Sequence, residues 1–114
     1  MSSTLIAQSI VRQLIENGVS HVVLSPGSRN APLSIALYEA DKAGAIHLHT
    51  RIDERSAGYF ALGIAKSTRS YVALICTSGT AVANYHPAAL EAFHGGNKDR
   101  KSTRLNSSHT DISR

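Results

Sequence analysis

Residues 21–30 read HVVLSPGSRN, and this stretch decides the fold. Residues 21–25 are a short, β-branched, apolar run, which is typical of a buried strand. Pro26 and Gly27 then predict a turn, because proline fixes one backbone dihedral and glycine tolerates others. A helical pattern follows over residues 31–43 and stops at Gly44. The stretch is therefore a strand that turns directly into a helix.

The same alternation extends in both directions along the chain. Apolar spacing and turn residues predict helix, strand, helix, strand, helix, strand and helix over residues 5–15, 21–25, 31–43, 46–50, 53–66, 71–77 and 80–93. Strands joined by helical crossovers form a parallel sheet with helices on both faces. The predicted fold class is therefore α/β, a partial parallel sheet flanked by helices.

The composition changes near Asn97. Residues 1–97 carry seven Lys/Arg and six Asp/Glu, whereas residues 98–114 carry five and two, so most of the net charge of +4 lies in this tail. Its only large apolar residues are Leu105 and Ile112, and we expect it to be disordered. Residues 100–114, RKSTRLNSSHTDISR, resemble the translated read-through of a sequencing adapter, so we interpret the tail as artefactual. The alternative is a genuine flexible basic tail.

Several classes of protein fit the composition poorly. The single cysteine, Cys76, forms no internal disulfide framework, and no apolar run reaches the ~20 residues that cross a bilayer. No secretory signal is predicted at the N-terminus, so we expect a cytoplasmic protein without a membrane span. The hypothesis of a small basic nucleic-acid-binding module is supported by the charge of the tail alone. Single-strand binders stack bases on aromatic side chains, and aromatic residues make up only 5% of this chain. We therefore expect no nucleic-acid partner.

The residues that could carry chemistry follow the predicted strands. Ligands of open parallel sheets bind outside the carboxyl ends of the strands, which here continue as SPGSR, TRIDE and TSGT. Arg29 beside a helix N-terminus suits a carboxylate or phosphate, although a solvated arginine in an ordinary turn is the alternative. Glu54 either complements a helix dipole or is a partly buried carboxyl that exchanges protons. The residues alone do not decide between these interpretations.

Two other patterns give little support for a phosphate-binding or metal-binding site. Residues 77–80 (TSGT) would let a ligand approach the backbone closely, but they lack the lysine and the spacing of a phosphate-binding loop. His47 and His49 share one face of a strand without a third ligand at a suitable spacing, so no metal site is predicted. Cys76 is expected to be buried as a small hydrophobic residue.

Three segments of the sequence identify a family more specifically together than any one of them does alone. They are LSPGSRNAPL, HTRIDERSAGYFALGIAK and CTSGTAVANYHPAALEA. In order and spacing, over about residues 3–94, they resemble the N-terminal pyrimidine-binding domain of the menaquinone-pathway (MenD-type) synthases. The resemblance implies a thiamine-diphosphate-binding domain and an enzyme that uses thiamine diphosphate and Mg²⁺. Such an enzyme decarboxylates 2-oxoglutarate and adds the four-carbon product to isochorismate.

The resemblance also implies roles for individual residues. Glu54 matches the catalytic glutamate that hydrogen-bonds N1′ of the aminopyrimidine of the cofactor. Ser28 and Arg29 match residues that contact substrate carboxylates. The pyrimidine side would be lined by Pro26, Gly27, Thr77, Gly79 and Asn84.

The chain departs from the family pattern after Phe93. The family continues into further domains, and one of these holds Mg²⁺ and the diphosphate. We therefore expect residues 1–97 to be an incomplete, truncated pyrimidine-binding domain of a longer enzyme, a homodimer or homotetramer with its active site between subunits. The alternative is another thiamine-diphosphate carboligase or decarboxylase, for which the charge of Arg29 would be less suited.

Overall fold

The computed structural model describes residues 3–77 and 80–94, and the backbone of residues 103–105 and 110–112. Five helices and five strands lie in these residues, with one 3₁₀ turn. Their order is α1 (Ser3–Glu16), β1 (His21–Leu24), the 3₁₀ turn (Ser28–Asn30), α2 (Ala31–Lys42), β2 (His47–Thr50), α3 (Glu54–Thr68), β3 (Val72–Ile75), α4 (Thr80–Ala83), α5 (His86–His94), β4 (Thr103–Leu105) and β5 (Thr110–Ile112).

The first three strands form one parallel sheet in the order β2-β1-β3. In the central strand, His21 is aligned with His47 of β2 and with Val72 of β3. Since parallel neighbours need a crossover, α2 connects β1 to β2 and α3 connects β2 to β3. The predicted α/β class and parallel sheet are confirmed.

Helices cover both faces of the central strand. Val22 and Leu24 point to the α1–α2 side, and Val23 between them points to the opposite side, because side chains alternate along a strand. Leu37 of α2 is fully buried in the first core, and replacing it with alanine would cost about 2–5 kcal/mol. The second core lies against α3, α4 and α5, and its buried members are Val23, Ala57, Ala61, Cys76, Ala81 and Tyr85. The predicted burial of Cys76 is confirmed.

Glycine ends two of the helices as the sequence predicts. Gly18 follows α1 with a φ of 85°, and Gly44 follows α2 with a φ of 81°. Both values lie in the left-handed region, which side chains with a Cβ avoid. These two glycines therefore set the lengths of the helices that form the first core.

The predicted fourth helix is wrong in one respect. Instead of one helix from about residue 80 to 93, the chain forms α4 and α5, with Asn84 and Tyr85 as a turn between them. The second residue of α5 is Pro87, which has no backbone N–H to donate to the Ala83 carbonyl and whose ring would clash with that carbonyl in a continuous helix. The break changes the direction of the chain and places Tyr85 in the second core.

The edge strand β3 is only half-buried at all four of its residues and, among the described residues, pairs with β1 alone. Further along the chain, β4 and β5 pair antiparallel with each other. The remainder of residues 98–114 lies outside the described residues, and the disorder expected there stays a prediction. No helix in the described part of the chain is long and apolar enough to cross a membrane.

Candidate functional site at the carboxyl edge of the sheet

The three strands end side by side at what we call the carboxyl edge, the turns that follow Leu24, Thr50 and Ile75. Leu24 is in register with Thr50 on one side and with Ile75 on the other. The ladder continues one residue further, because Ser25 N donates to the Ile75 carbonyl at 2.8 Å and Arg51 N donates to the Leu24 carbonyl at 2.9 Å. The turns that begin at Ser25, Arg51 and Cys76 therefore leave the sheet as neighbours.

The turn after β1 is braced by Asn30, which is 3% exposed. Its Oδ1 accepts a hydrogen bond from Gly27 N at 2.9 Å, and its Nδ2 donates to the Ser25 carbonyl at 3.3 Å. Ser34 Oγ donates to the Asn30 carbonyl at 3.0 Å, which ties the turn to α2. Asn30 therefore holds the backbone of the turn from its buried side, and Ser28 and Arg29 are exposed.

Gly27 touches Thr77, so the turns after β1 and β3 pack against each other. A Cβ built on Gly27 would lie 3.0 Å from Thr77 Cβ and 3.2 Å from its Cγ2. The φ of Gly27 is −155°, an extended value that any residue adopts. A side chain at this position would therefore require Thr77 to shift by a few tenths of an ångström.

The two acidic residues at the start of α3 have different environments. Asp53 is the N-cap, and its carboxylate accepts hydrogen bonds from Ser56 Oγ at 2.7 Å and Ser56 N at 3.2 Å. These bonds, the hydroxyl first, lower the pKa of Asp53. Glu54, at the first position of the helix, is half-buried. The capping function thus belongs to Asp53.

Tyr85 brings a buried hydroxyl beneath the carboxyl edge. The residue is 7% exposed, and burial raises the pKa of its phenol, with further contributions first from the Cys76 thiol and last from the Glu54 carboxylate. The Ser25 hydroxyl acts in the opposite direction. Tyr85 therefore lies among side chains that follow or begin three elements, β1, β3 and α3.

Two of these polar atoms, Ser25 Oγ and Tyr85 Oη, are buried without a hydrogen bond of acceptable geometry among the described residues. Ser25 is fully buried, and its hydroxyl lies near enough to Tyr85 to affect the pKa of the phenol. An unsatisfied buried hydroxyl costs about 1–3 kcal/mol. Such groups are rare in folded proteins.

The other candidate residues differ in exposure. Pro26 and Asn84 are exposed and Thr77 is half-buried, and the backbone N of Asn84 donates to the Thr80 carbonyl at 3.2 Å. Gly79, predicted to line the pyrimidine side, lies outside the described residues.

Arg51 is engaged locally. It donates to the Thr50 carbonyl at 2.7 Å, and its guanidinium lies 4.2 Å from the centre of the Phe60 ring. Arg51 is thus engaged within the chain, whereas Arg29 is exposed.

The strand histidines form a stack across β1 and β2. The His21 ring lies 5.0 Å from that of His47 and 5.4 Å from that of His49, and His21 Nδ1 is 3.2 Å from His49 Nε2. Burial, followed by the charges of His21 and Arg51, lowers the pKa of His49. Within the described residues, no group of three or more His, Cys, Asp or Glu side chains could hold a metal ion.

The sequence places Ser25 and Asn30 in the turn after β1 but does not reveal their contacts, and it gives no sign that Tyr85 is part of this edge. Asn30 precedes α2, and its side chain hydrogen-bonds to the backbone of the turn before it. Asparagine often shows this pattern, and the string PGSRN could have suggested it. Tyr85 was hidden because residues 80–93 were treated as one helix, and Pro87 was the signal of a break.

Comparison with known proteins agrees with this geometry. Residues 5–98 match the family described as the thiamine pyrophosphate enzyme, N-terminal TPP binding domain. The chain belongs to this family.

Individual relatives are similar over most of the chain. A 2-succinyl-5-enolpyruvyl-6-hydroxy-3-cyclohexene-1-carboxylate synthase from Saccharopolyspora erythraea is 61% identical over 94 residues, which are 82% of this chain and 17% of the relative. The synthase of the same name from a Nocardioides species is 58% identical over 95 residues, 83% of this chain and 18% of the relative. The synthase of the same name from Mycolicibacterium smegmatis is 59% identical over 90 residues, which are 79% of this chain and 16% of the relative. The chain thus spans about a sixth of the length of these relatives.

Proposed function

We propose that this chain is the pyrimidine-binding domain of a thiamine-diphosphate-dependent synthase of menaquinone biosynthesis. The parent enzyme decarboxylates 2-oxoglutarate and adds the resulting four-carbon unit to isochorismate. Membership of the thiamine pyrophosphate enzyme family supports the cofactor, and identities of 58–61% to synthases of one name support the reaction.

One observation carries the proposal, namely the half-buried Glu54, which begins α3 after the turn that follows β2. A carboxyl group that is partly shielded from water and free of the capping role suits proton exchange with a ring nitrogen. Because Gly27 has no side chain, Thr77 packs directly against its backbone, which joins the turns after β1 and β3 into one wall. A carboxyl at this edge of the sheet fits an aminopyrimidine, whose ring nitrogen can share its proton.

Each candidate residue has a definite role in this proposal. Glu54 holds a proton at N1′ of the aminopyrimidine, and the bound cofactor supplies the electron sink for decarboxylation and carbon–carbon bond formation. The exposed Ser28 and Arg29 bind substrate carboxylates, for which the guanidinium is suited by its paired donors. The residues that line the pyrimidine side are Pro26, Gly27, Thr77, Gly79 and Asn84.

The remainder of the cofactor site belongs to the parent enzyme. We place the Mg²⁺ and diphosphate contacts in a domain that follows residue 98 in the parent, as the resemblance implies. The complete active site then lies between two subunits, and the parent is a cytoplasmic homodimer or homotetramer. It acts on small-molecule substrates, with no nucleic acid involved.

A fusion enzyme tests the proposal. Residues 5–98 of this chain replace the matching 94-residue segment of the Saccharopolyspora erythraea synthase, and the product is assayed with thiamine diphosphate, Mg²⁺, 2-oxoglutarate and isochorismate. We expect synthase turnover close to that of the unmodified relative. Glu54→Gln in the fusion should lower kcat by about 10²–10⁴-fold, since it removes the proton-exchanging group.

The matched control is Glu16→Gln, which makes the same chemical change on an exposed residue at the end of α1. It should leave kcat unchanged. A soluble, folded fusion without turnover, or equal effects of the two substitutions, would contradict the proposal.

A further inference from the structure

Two histidines of neighbouring strands face each other through their ring nitrogens. His21 Nδ1 lies 3.2 Å from His49 Nε2, and the two ring planes are only 18° from parallel. The ring centres are 5.4 Å apart, which nearly equals the nitrogen–nitrogen distance plus the two distances from ring centre to nitrogen. The facing nitrogens therefore lie on the line between the ring centres, which is the geometry of an in-plane N–H···N hydrogen bond.

A contact of this kind holds one proton between the two nitrogens. A neutral imidazole has one nitrogen that donates and one that accepts, whereas both nitrogens of an imidazolium are donors. The hydrogen bond can therefore form between two neutral rings, or between one neutral ring and one imidazolium. When both His21 and His49 are charged, the acceptor is lost, the hydrogen bond breaks and two cations face each other.

Most of the charged groups around His49 oppose its protonation. Burial, followed by the charges of His21, Arg51 and His47, lowers the pKa of His49. The His47 ring also lies 5.0 Å from that of His21, so a third imidazole borders the pair. Among the described groups that act on His49, Asp41 of α2 is the one that favours the charged form.

The pair is coupled to α3 through one aromatic ring. Phe60, the uncharged residue that α3 presents to His49, meets it edge-on with 5.2 Å between the ring centres. The face of the same ring lies 4.2 Å from the Arg51 guanidinium. A charged His49 would share this ring with the Arg51 cation, and the repulsion would favour separation of β2 from α3. Glu54 begins α3 directly after the turn that joins these two elements.

We propose that His21 and His49 form a pH switch, in which a second proton breaks their hydrogen bond and loosens β2 and the turn before Glu54. The inference goes beyond the proposed function, because it concerns the packing of this domain and holds whatever reaction the parent performs. The folded protein favours neutral His49, so this stabilisation is complete above the unfolded pKa of about 6.5. It is lost as the pH falls toward the lower pKa of the folded protein.

Hydrogen exchange of the fusion enzyme, detected by mass spectrometry, tests the switch at about pH 7.5 and about pH 5.5, on either side of the ordinary pKa of histidine. After correction for the intrinsic exchange rate, peptides that cover residues 47–60 should open about 3–10-fold more often at the lower pH, since the open state gains the proton more readily. Peptides of residues 5–16 in α1, which contains no histidine, should open equally at both values and are the control within the same sample.

His49→Gln supplies the comparison that does not titrate, because its amide still hydrogen-bonds but gains no proton. The peptides of residues 47–60 should then open equally at both pH values. His86→Gln makes the same change at an exposed histidine that begins α5, and it should respond to pH as the unsubstituted fusion does. If His49→Gln does not fold, the comparison of the two sets of peptides in the unsubstituted fusion decides the question.

The outcomes separate the switch from the proposed function. Opening of residues 47–60 that is independent of pH in the unsubstituted fusion would overturn the inference. A His49→Gln variant as sensitive to acid as the unsubstituted fusion would overturn it as well. A folded fusion without turnover that still shows the expected pH dependence would contradict the proposed function and support the switch.

Discussion

Gly27 and Thr77 lie in direct contact across the carboxyl edge, with only 3.0 Å between Thr77 Cβ and the position of a Cβ on Gly27. The contact joins the turn after the central strand to the turn after the edge strand. Two segments that are 50 positions apart in the sequence thereby form one wall of the candidate site.

The first prediction concerns this contact. Gly27→Ala in the fusion enzyme should lower stability by about 1–3 kcal/mol, because an added methyl group forces the turns apart. Gly63→Ala is the control, since a Cβ there meets nothing within 4 Å on the exposed side of α3. It should raise stability by about 0.5–1 kcal/mol, the usual gain in a helix interior. Thermal melting compares the two, and an equal response would show that the contact is loose.

The second prediction concerns Arg29, which is exposed beside Ser28. Arg29→Ala in the fusion should raise the KM for the acid substrates by about 10–100-fold, as expected for the loss of a charge-assisted hydrogen bond. Arg12→Ala, on the exposed surface of α1, should leave KM unaltered. Unchanged kinetics for Arg29→Ala would favour a carboligase or decarboxylase of this family with other substrates.

The third prediction is a pH dependence that belongs to Asp53. Hydrogen bonds from Ser56 lower the pKa of its carboxyl in the folded protein, so the carboxylate stabilises the fold above the unfolded pKa, about 4. This stabilisation is lost as the pH falls through the folded pKa. The difference in melting temperature between the unsubstituted fusion and Asp53→Ala should therefore shrink in acid.

Asp53→Asn supplies the control for that series, because asparagine also caps helices but does not titrate. Its advantage over Asp53→Ala should be the same at every pH. If the difference in melting temperature between the unsubstituted fusion and Asp53→Ala were also the same at every pH, the charge of Asp53 would have no part in capping α3.

The fourth prediction concerns the 114-residue chain by itself. The half-buried strand β3 pairs with β1 alone among the described residues, which leaves one backbone edge to attract other chains. We expect aggregation in size-exclusion chromatography and no turnover with cofactor, Mg²⁺ and both substrates. Monodisperse, cooperatively melting protein would show that this edge is protected, and turnover would show that the site is complete.

The sequence predicts the fold well because its signals are local. The run of residues 21–25 and the glycines at 18 and 44 each specify an element or its end without help from distant parts of the chain. The predicted strand boundaries differ by one or two residues; β3, for example, was expected over residues 71–77 and spans Val72–Ile75. Ser25 lies outside β1 although its backbone N still bonds to β3.

The site is less accessible to sequence reasoning because its contacts are distant. Asp53 caps α3 and Glu54 is half-buried. This difference depends on Ser56 and on the packing of α3, so it cannot be read from the two acidic residues alone. The fit of Tyr85 on Gly58 joins α3 to the turn between α4 and α5, and it exists because the chain turns there. The roles of Ser28, Arg29 and Asn84 remain predictions.

The most direct test of the central claim is a crystal structure of the fusion enzyme with thiamine diphosphate bound. We predict that a carboxyl oxygen of Glu54 lies within hydrogen-bonding distance of N1′ of the aminopyrimidine, about 2.6–3.2 Å. An aminopyrimidine ring bound elsewhere, or one whose N1′ faces a different side chain, would contradict the account.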